Sequence, residues 1–131
     1  MAPLKLASLM LAAWRGNEAE AAALFEAGRR EATARGEGQG LGILDWAMAL
    51  LYNGSGRYAL ALAAARRGCE QDDAGLFAWT LVELIEAGTR SDATDVASAA
   101  LDRLSERTQA SGTDWALGIE AGSRALVSDD G

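Results

Sequence analysis

The chain has 131 residues, half of them apolar, enough for one domain to bury a continuous core without metal or disulfide support. Twelve Lys and Arg stand against 19 Asp and Glu, a net charge of −7, and such an acidic surface repels phosphate backbones and excludes nucleic-acid binding by this segment. Cys69 is alone, so no internal disulfide can form; no apolar run reaches the roughly 18 residues of a membrane span, Met1 to Leu6 lack the pattern of a secretory signal, and the expectation is a cytoplasmic protein.

Alanine is abundant, β-branched residues are scattered and the single proline, Pro3, sits where a helix can begin, so helix is favoured over strand throughout. The first helix is expected from about Leu4 to Arg15, with Leu6, Leu9, Met10 and Ala13 in one apolar stripe. Gly16 ends it, and Asn17 with Glu20 reads as a capping box opening a second helix that turns Ala21, Leu24 and Phe25 inward. The glycine-rich run Gly36 to Gly42 predicts an interhelix linker; no strand precedes it and no Lys-Ser/Thr follows, so a phosphate cradle is not its expected use.

A third helix, about Ile43 to Tyr52, carries Leu44, Ala47, Met48, Leu51 and Tyr52 on one face, with Trp46 and Leu50 on a flanking one. Tyr58, Ala61, Leu62 and Ala65 stripe a fourth, which is expected to end near Arg66-Arg67-Gly68, the arginines complementing the dipole and Gly68 supplying a left-handed cap. After a linker at Gln71 to Gly75 come a fifth helix with Phe77, Leu81, Leu84 and Ile85 in register, and a break at Gly88 to Asp92. A sixth helix follows, capped by Ser91, Asp92 or Thr94 and burying Ala97, Ala100, Leu101 and Leu104. Thr113 caps a seventh, with Trp115, Ile119, Gly122 and Leu126 along one line, and Gly122 predicts close packing or fraying.

Polar breaks at Arg15 to Glu18, Asn53 to Arg57 and Gly88 to Asp92 are each followed by an inner-face alanine. Ala21, Ala61 and Ala97 therefore recur at intervals of 40 and 36 residues. A period in that range marks stacked helical hairpins, in which each unit needs its neighbours to bury its apolar face. The expected architecture is all-α, with hairpins at about 4–35, 41–70 and 76–110 and a terminal helix at 113–127, about seven helices in one domain that continues into a longer chain. Apolar end faces left uncovered by that stack predict association into a homodimer.

Several runs, Ala34-Arg35-Gly36-Glu37-Gly38, Trp46-Ala47, Leu51-Tyr52-Asn53-Gly54, Gly56-Arg57-Tyr58, Ala61-Leu62, Glu83 to Ala87 and, most specifically, Ala110 to Ala121, resemble the helical-repeat region of large actinobacterial LuxR-type transcriptional regulators. The resemblance covers most of the chain and implies a tetratricopeptide-like α-α superhelix lying between an ATP-binding domain and a C-terminal helix-turn-helix. Tyr52, Gly56, Tyr58 and Ala61 fit the tetratricopeptide pattern, whereas the third unit has Asp92 where a glycine is usual and no hairpin closes on a proline. The phosphate-loop lysine motif and a basic recognition helix are absent from this segment, so what the resemblance implies for it is effector sensing or protein–protein interaction with the flanking domains of the same regulator. The alternative is a stand-alone adaptor holding a peptide in its concave groove.

Without histidine, most zinc sites, triads and imidazole acid–base schemes lose their usual component, and neither catalysis, cofactor nor metal is expected. Glu83 and Glu86, one turn apart, read as a solvated helix face, and Cys69 beside Glu70 reads as an inert thiol. The binding candidates are Trp46, Tyr52, Trp79 and Trp115, which could line a groove for a protein partner or a small apolar effector, with Asp45, Glu83 or Asp114 orienting polar groups; Trp14 is assigned to filling space between alanine-rich helices.

Overall fold

A computed structural model describes residues 3–36, 38–70 and 77–129. The chain is all-α: α1 (Pro3–Trp14), α2 (Glu18–Arg35), α3 (Gly38–Gly54), α4 (Tyr58–Glu70), α5 (Phe77–Arg90), α6 (Thr94–Ser111) and α7 (Asp114–Asp129). No strand occurs among the described residues, and no helix among them is long and apolar enough to cross a membrane. The expected linker at Gln71 to Gly75 lies outside the described residues.

Three hairpin turns are built alike. Gly16, Gly56 and Asp92 adopt left-handed φ angles of 70°, 76° and 60°. The following amide donates back to the carbonyl five residues earlier: Asn17 to Ala12 at 2.9 Å, Arg57 to Tyr52 at 2.8 Å and Ala93 to Gly88 at 2.8 Å. This closure satisfies carbonyls left open at a helix end and aims the next helix back along the one before it. Five residues after each left-handed position, Ala21, Ala61 and Ala97 are fully buried.

Each helix touches its neighbours in sequence. In addition α1 touches α3, α3 touches α5 and α5 touches α7, whereas the even-numbered helices make no such contacts with one another among the described residues. The core follows the same row, from Leu9, Met10 and Ala13 through Leu44, Ala47, Met48 and Leu51 to Leu81, Leu84 and Ile85, and on to Ala100, Leu101 and Leu104. These are the stripes expected from helical spacing; the side chains of Leu6 and Phe77 fall outside the described residues.

Several local expectations are corrected. The run Gly36 to Gly42 is not a linker: Gly36 ends α2 in a left-handed conformation at φ 68°, and α3 is already helical at Gly38. Gly68 caps nothing, because α4 continues to Glu70 and Gly68 is buried in it, where an added Cβ would come within 2.9 Å of Thr80 Cγ2. Gly88 is likewise inside a helix, packed on α6, with an added Cβ 3.2 Å from both the nitrogen and the Cβ of Ala97. At α6 the N-cap is Ala93, which has no side-chain cap; the Ser91 hydroxyl donates backward to Ala87 instead.

Other caps follow the sequence. Asn17 Oδ1 accepts from the Glu20 amide at 3.3 Å, and Glu20 answers by accepting from Asn17 Nδ2 at 2.9 Å rather than from the backbone. Thr113 Oγ1 accepts from the Ala116 amide at 3.1 Å. Gly122 neither packs closely nor frays the helix: α7 runs through it, and nothing lies within 4 Å of an added Cβ.

The turns make the same demand on Gly56 and Asp92, and only Gly56 meets it without strain. A Cβ in the left-handed region costs about 1 kcal/mol or more, so G56A is expected to destabilise the chain by about 1–2 kcal/mol and D92G to stabilise it by about 0.5–1 kcal/mol. Urea unfolding of both variants checks the pair; equal signs would contradict the role of these turns.

Candidate functional site: an aromatic row on the odd-numbered helices

The apolar stripes of α3, α5 and α7 are consumed by the core, so large residues just off those stripes are left at the edge of burial on the side where these helices meet. Trp46, Trp79 and Trp115 occupy those positions. The ring centroids of Trp46 and Trp79 are 6.2 Å apart with planes at 46°, and those of Trp79 and Trp115 are 4.9 Å apart at 59°. Tilted pairs at such distances set the positive edge of one ring toward the negative face of the next. Trp46 is half-buried, while Trp79 and Trp115 stay 41% and 59% exposed.

Beneath Trp79 and Trp115 a recess of about 130 Å³ opens between α5, α6 and α7. Val82, Leu104 and Ile119 supply apolar lining, and the polar side chains that border it all come from α6: Arg107, Thr108 and Ser111. Thr108 Oγ1 lies 2.8 Å from Glu120 Oε1, and Ser111 Oγ lies 3.3 Å from Thr113 Oγ1, so both hydroxyls already have partners.

Tyr52 does not join this group. It is half-buried six residues along α3 from Trp46, about 120° around the helix, and it borders neither the aromatic row nor the recess. Trp14 fills no interhelix space; it is 67% exposed on α1, next to exposed Leu11. On α7 the buried positions are Ala116, Glu120 and Ser123; of the expected line Ile119 packs against the core and Leu126 is half-buried, whereas Gly122 is exposed and Trp115 lies at the margin against Trp79. Hydrogen bonds from Ser105, Thr108 and Gln109 hold the Glu120 carboxyl below the usual carboxylate range.

The acidic candidates separate by environment. Asp114 is exposed at the start of α7. Asp45 is buried, its acidity weakened by burial even though Arg67 Nε donates to it at 3.3 Å. Glu83 is not on a solvated face as the Glu83/Glu86 spacing predicts: it is buried between α3 and α5, where Asn53 Nδ2 donates to its backbone carbonyl at 3.0 Å and to Oε2 at 3.2 Å. Burial pushes its pKa up to about 7, against the pull of the Asn53 hydrogen bond and with a small push from Glu86. This pair was missed by reasoning from spacing. Its signal was a carboxylate inside the run Leu81-Val82-Glu83-Leu84-Ile85, where a solvated face would have exposed neighbours.

Cys69 is buried, and its thiol is pushed up to about 11, first by burial, with Arg103 opposing and Glu70 adding. A thiol at that value is a poor nucleophile near neutral pH. Among the described residues no group of three or more His, Cys, Asp or Glu side chains could hold a metal ion.

No family model, curated protein or solved structure matches this chain.

Glu83 gives stability a pH dependence of definite sign. Its folded pKa of about 7 lies above the ordinary 4.5, so its favourable contribution is complete below pH 4.5 and is lost as pH rises through 7. The loss is expected to be about 3 kcal/mol across that window. E83Q keeps the shape and the Asn53 bond without the charge; urea unfolding at pH 5 and 8.5 should show the parent losing stability with pH and the variant losing far less. Parallel profiles would contradict this assignment.

Proposed function

We propose that this chain is a non-catalytic helical-repeat segment of a LuxR-type transcriptional regulator, a tetratricopeptide-like superhelix that senses an effector or engages protein partners and so controls flanking ATP-binding and DNA-binding domains. The observation that carries the reading is the order of contacts: odd-numbered helices touch in succession while even-numbered ones do not. An array closed along one edge and splayed along the other curves, with its odd-numbered helices on the inner side. Trp46, Trp79 and Trp115 all come from that side.

Such an array has no rigid centre, because each hairpin rests only on its neighbours. An effector or partner that prefers one curvature shifts the population toward it and changes how the two ends present their flanking domains. The Arg57–Glu18 ion pair at 2.6 Å and the Arg90 guanidinium 5.6 Å from the centre of the Tyr58 ring bridge successive turns along one edge, where a change of curvature would be felt. Both are exposed enough to be remade at small cost. Association into a homodimer through the end faces belongs to the same reading and draws on the exposed Leu11 and Trp14 of α1 and Leu117 of α7.

The reading is tested in the intact protein. The reading frame around this segment is expected to encode an ATP-binding domain before it and a helix-turn-helix after it, and replacing Trp79 by Ala there should lower effector-dependent transcription from a reporter at least fivefold with unchanged protein level. A frame encoding neither domain, or a reporter indifferent to the substitution, would remove the regulator assignment.

A further inference from the structure

The recess between α5, α6 and α7 has a size and a chemistry that select an occupant. Its volume of about 130 Å³ is too small for most metabolites and close to that of a single six-membered ring. An apolar cavity of about 150 Å³ in an unrelated protein stays dry and admits benzene.

Water is poorly served in it. A buried water needs two to four polar partners, and here Thr108 is engaged with Glu120 and Ser111 with Thr113. The remaining surface is supplied by Ala78, Val82, Leu104, Ala116, Ile119, the two indoles and Arg107, and Arg107 already has a partner of its own. An apolar occupant therefore displaces little that was bound well.

The indoles narrow the choice further. Trp79 and Trp115 are inclined at 59°, so a flat ring lying parallel to one indole stands tilted to the other, and offset-stacked and tilted contacts are the arrangements that aromatic rings favour. A thicker alicyclic ring gains the burial but not this term. A charged group would be desolvated against a mostly apolar lining whose one charged side chain, Arg107, is already engaged, on a protein whose net charge of −7 repels anions.

We propose that this recess binds one neutral, flat aromatic ring of a small molecule, the size of toluene or phenol. The site deepens the effector-sensing reading above and depends on that reading only for its consequence.

The test is methyl NMR on the full chain, titrated with toluene, phenol, cyclohexane, benzoate and N-acetylphenylalaninamide. Toluene and phenol should shift the methyls of Val82, Leu104 and Ile119 saturably, with Kd about 1 mM or tighter. Cyclohexane should bind roughly three- to tenfold more weakly, and benzoate and the peptide analogue more weakly than toluene. Ala116, which borders the recess from α7, provides the filling variant: A116L should lose toluene binding at least tenfold. W115A changes a mostly exposed side chain, so it keeps the fold, and should weaken binding at least fivefold, whereas W14A should leave it unchanged.

No saturable shift, equal binding by cyclohexane, tighter binding by benzoate or by the peptide analogue, or W115A binding like the parent would each overturn the proposal. The two readings fail separately. Toluene binding that leaves reporter transcription unchanged would remove sensing and keep the pocket; absence of toluene binding would remove the pocket and leave a partner-binding segment standing.

Discussion

Close approach of helix backbones at small residues is the constraint from which the remaining structure follows. Each left-handed turn returns the chain at a short distance, and the residue that then faces the preceding helix is alanine in all three hairpins: Ala21, Ala61 and Ala97, none with exposed surface. At the third hairpin Gly88 of α5 is set against both backbone and side chain of Ala97. Between hairpins the same device recurs where Gly68 of α4 lies against Thr80 of α5 and Asp45 of α3. Any larger side chain at these points would separate helices whose burial supplies the folding energy, and interiors packed to crystal-like density do not absorb such changes freely.

That closeness has a cost in volume. Helices that meet through alanine and glycine leave little room in the seam for large residues, so the tryptophans are displaced to its margin on the odd-numbered helices, where they stack on one another. The recess beside Trp79 and Trp115 lies where α6, from Leu104 to Ser111, borders α5 and α7. A surface useful for binding is thus a by-product of how the core is packed, not a separate module laid over it.

The parts of this arrangement that could be read from the amino-acid order were those set by spacing alone. Period-3.6 stripes placed Leu44, Met48, Leu81, Ile85, Ala100 and Leu104 inside, and the 40- and 36-residue intervals placed the three turns. Glycines misled wherever tertiary contact decided their role. Gly38, Gly40 and Gly42 each lower helix propensity by about 1 kcal/mol relative to alanine, yet α3 extends through them, and Gly42 is buried with its carbonyl near Gly68. Asp92 was the converse: a non-glycine residue that nonetheless takes the left-handed position, as the alignment of the breaks implied. For the site, the shared side of Trp46, Trp79 and Trp115 required knowing which helices touch, and the exposure of Trp14 required knowing that nothing packs over it.

Least legible was the polar pair inside the seam between α3 and α5. Asn53 spends both hydrogens of its amide on Glu83, one on the backbone and one on the carboxyl, while its Oδ1 is buried without a donor. A proton on Glu83 adds the one donor the pair lacks, which accords with a carboxyl that burial has already moved to about 7. Apolar contacts in this row are interchangeable enough to tolerate slippage between hairpins, whereas a misregistered Asn53 or Glu83 would leave polar groups unpaired in a dry seam. The pair thereby favours one register between the second hairpin and the third, on the same two helices, α3 and α5, that carry Trp46 and Trp79.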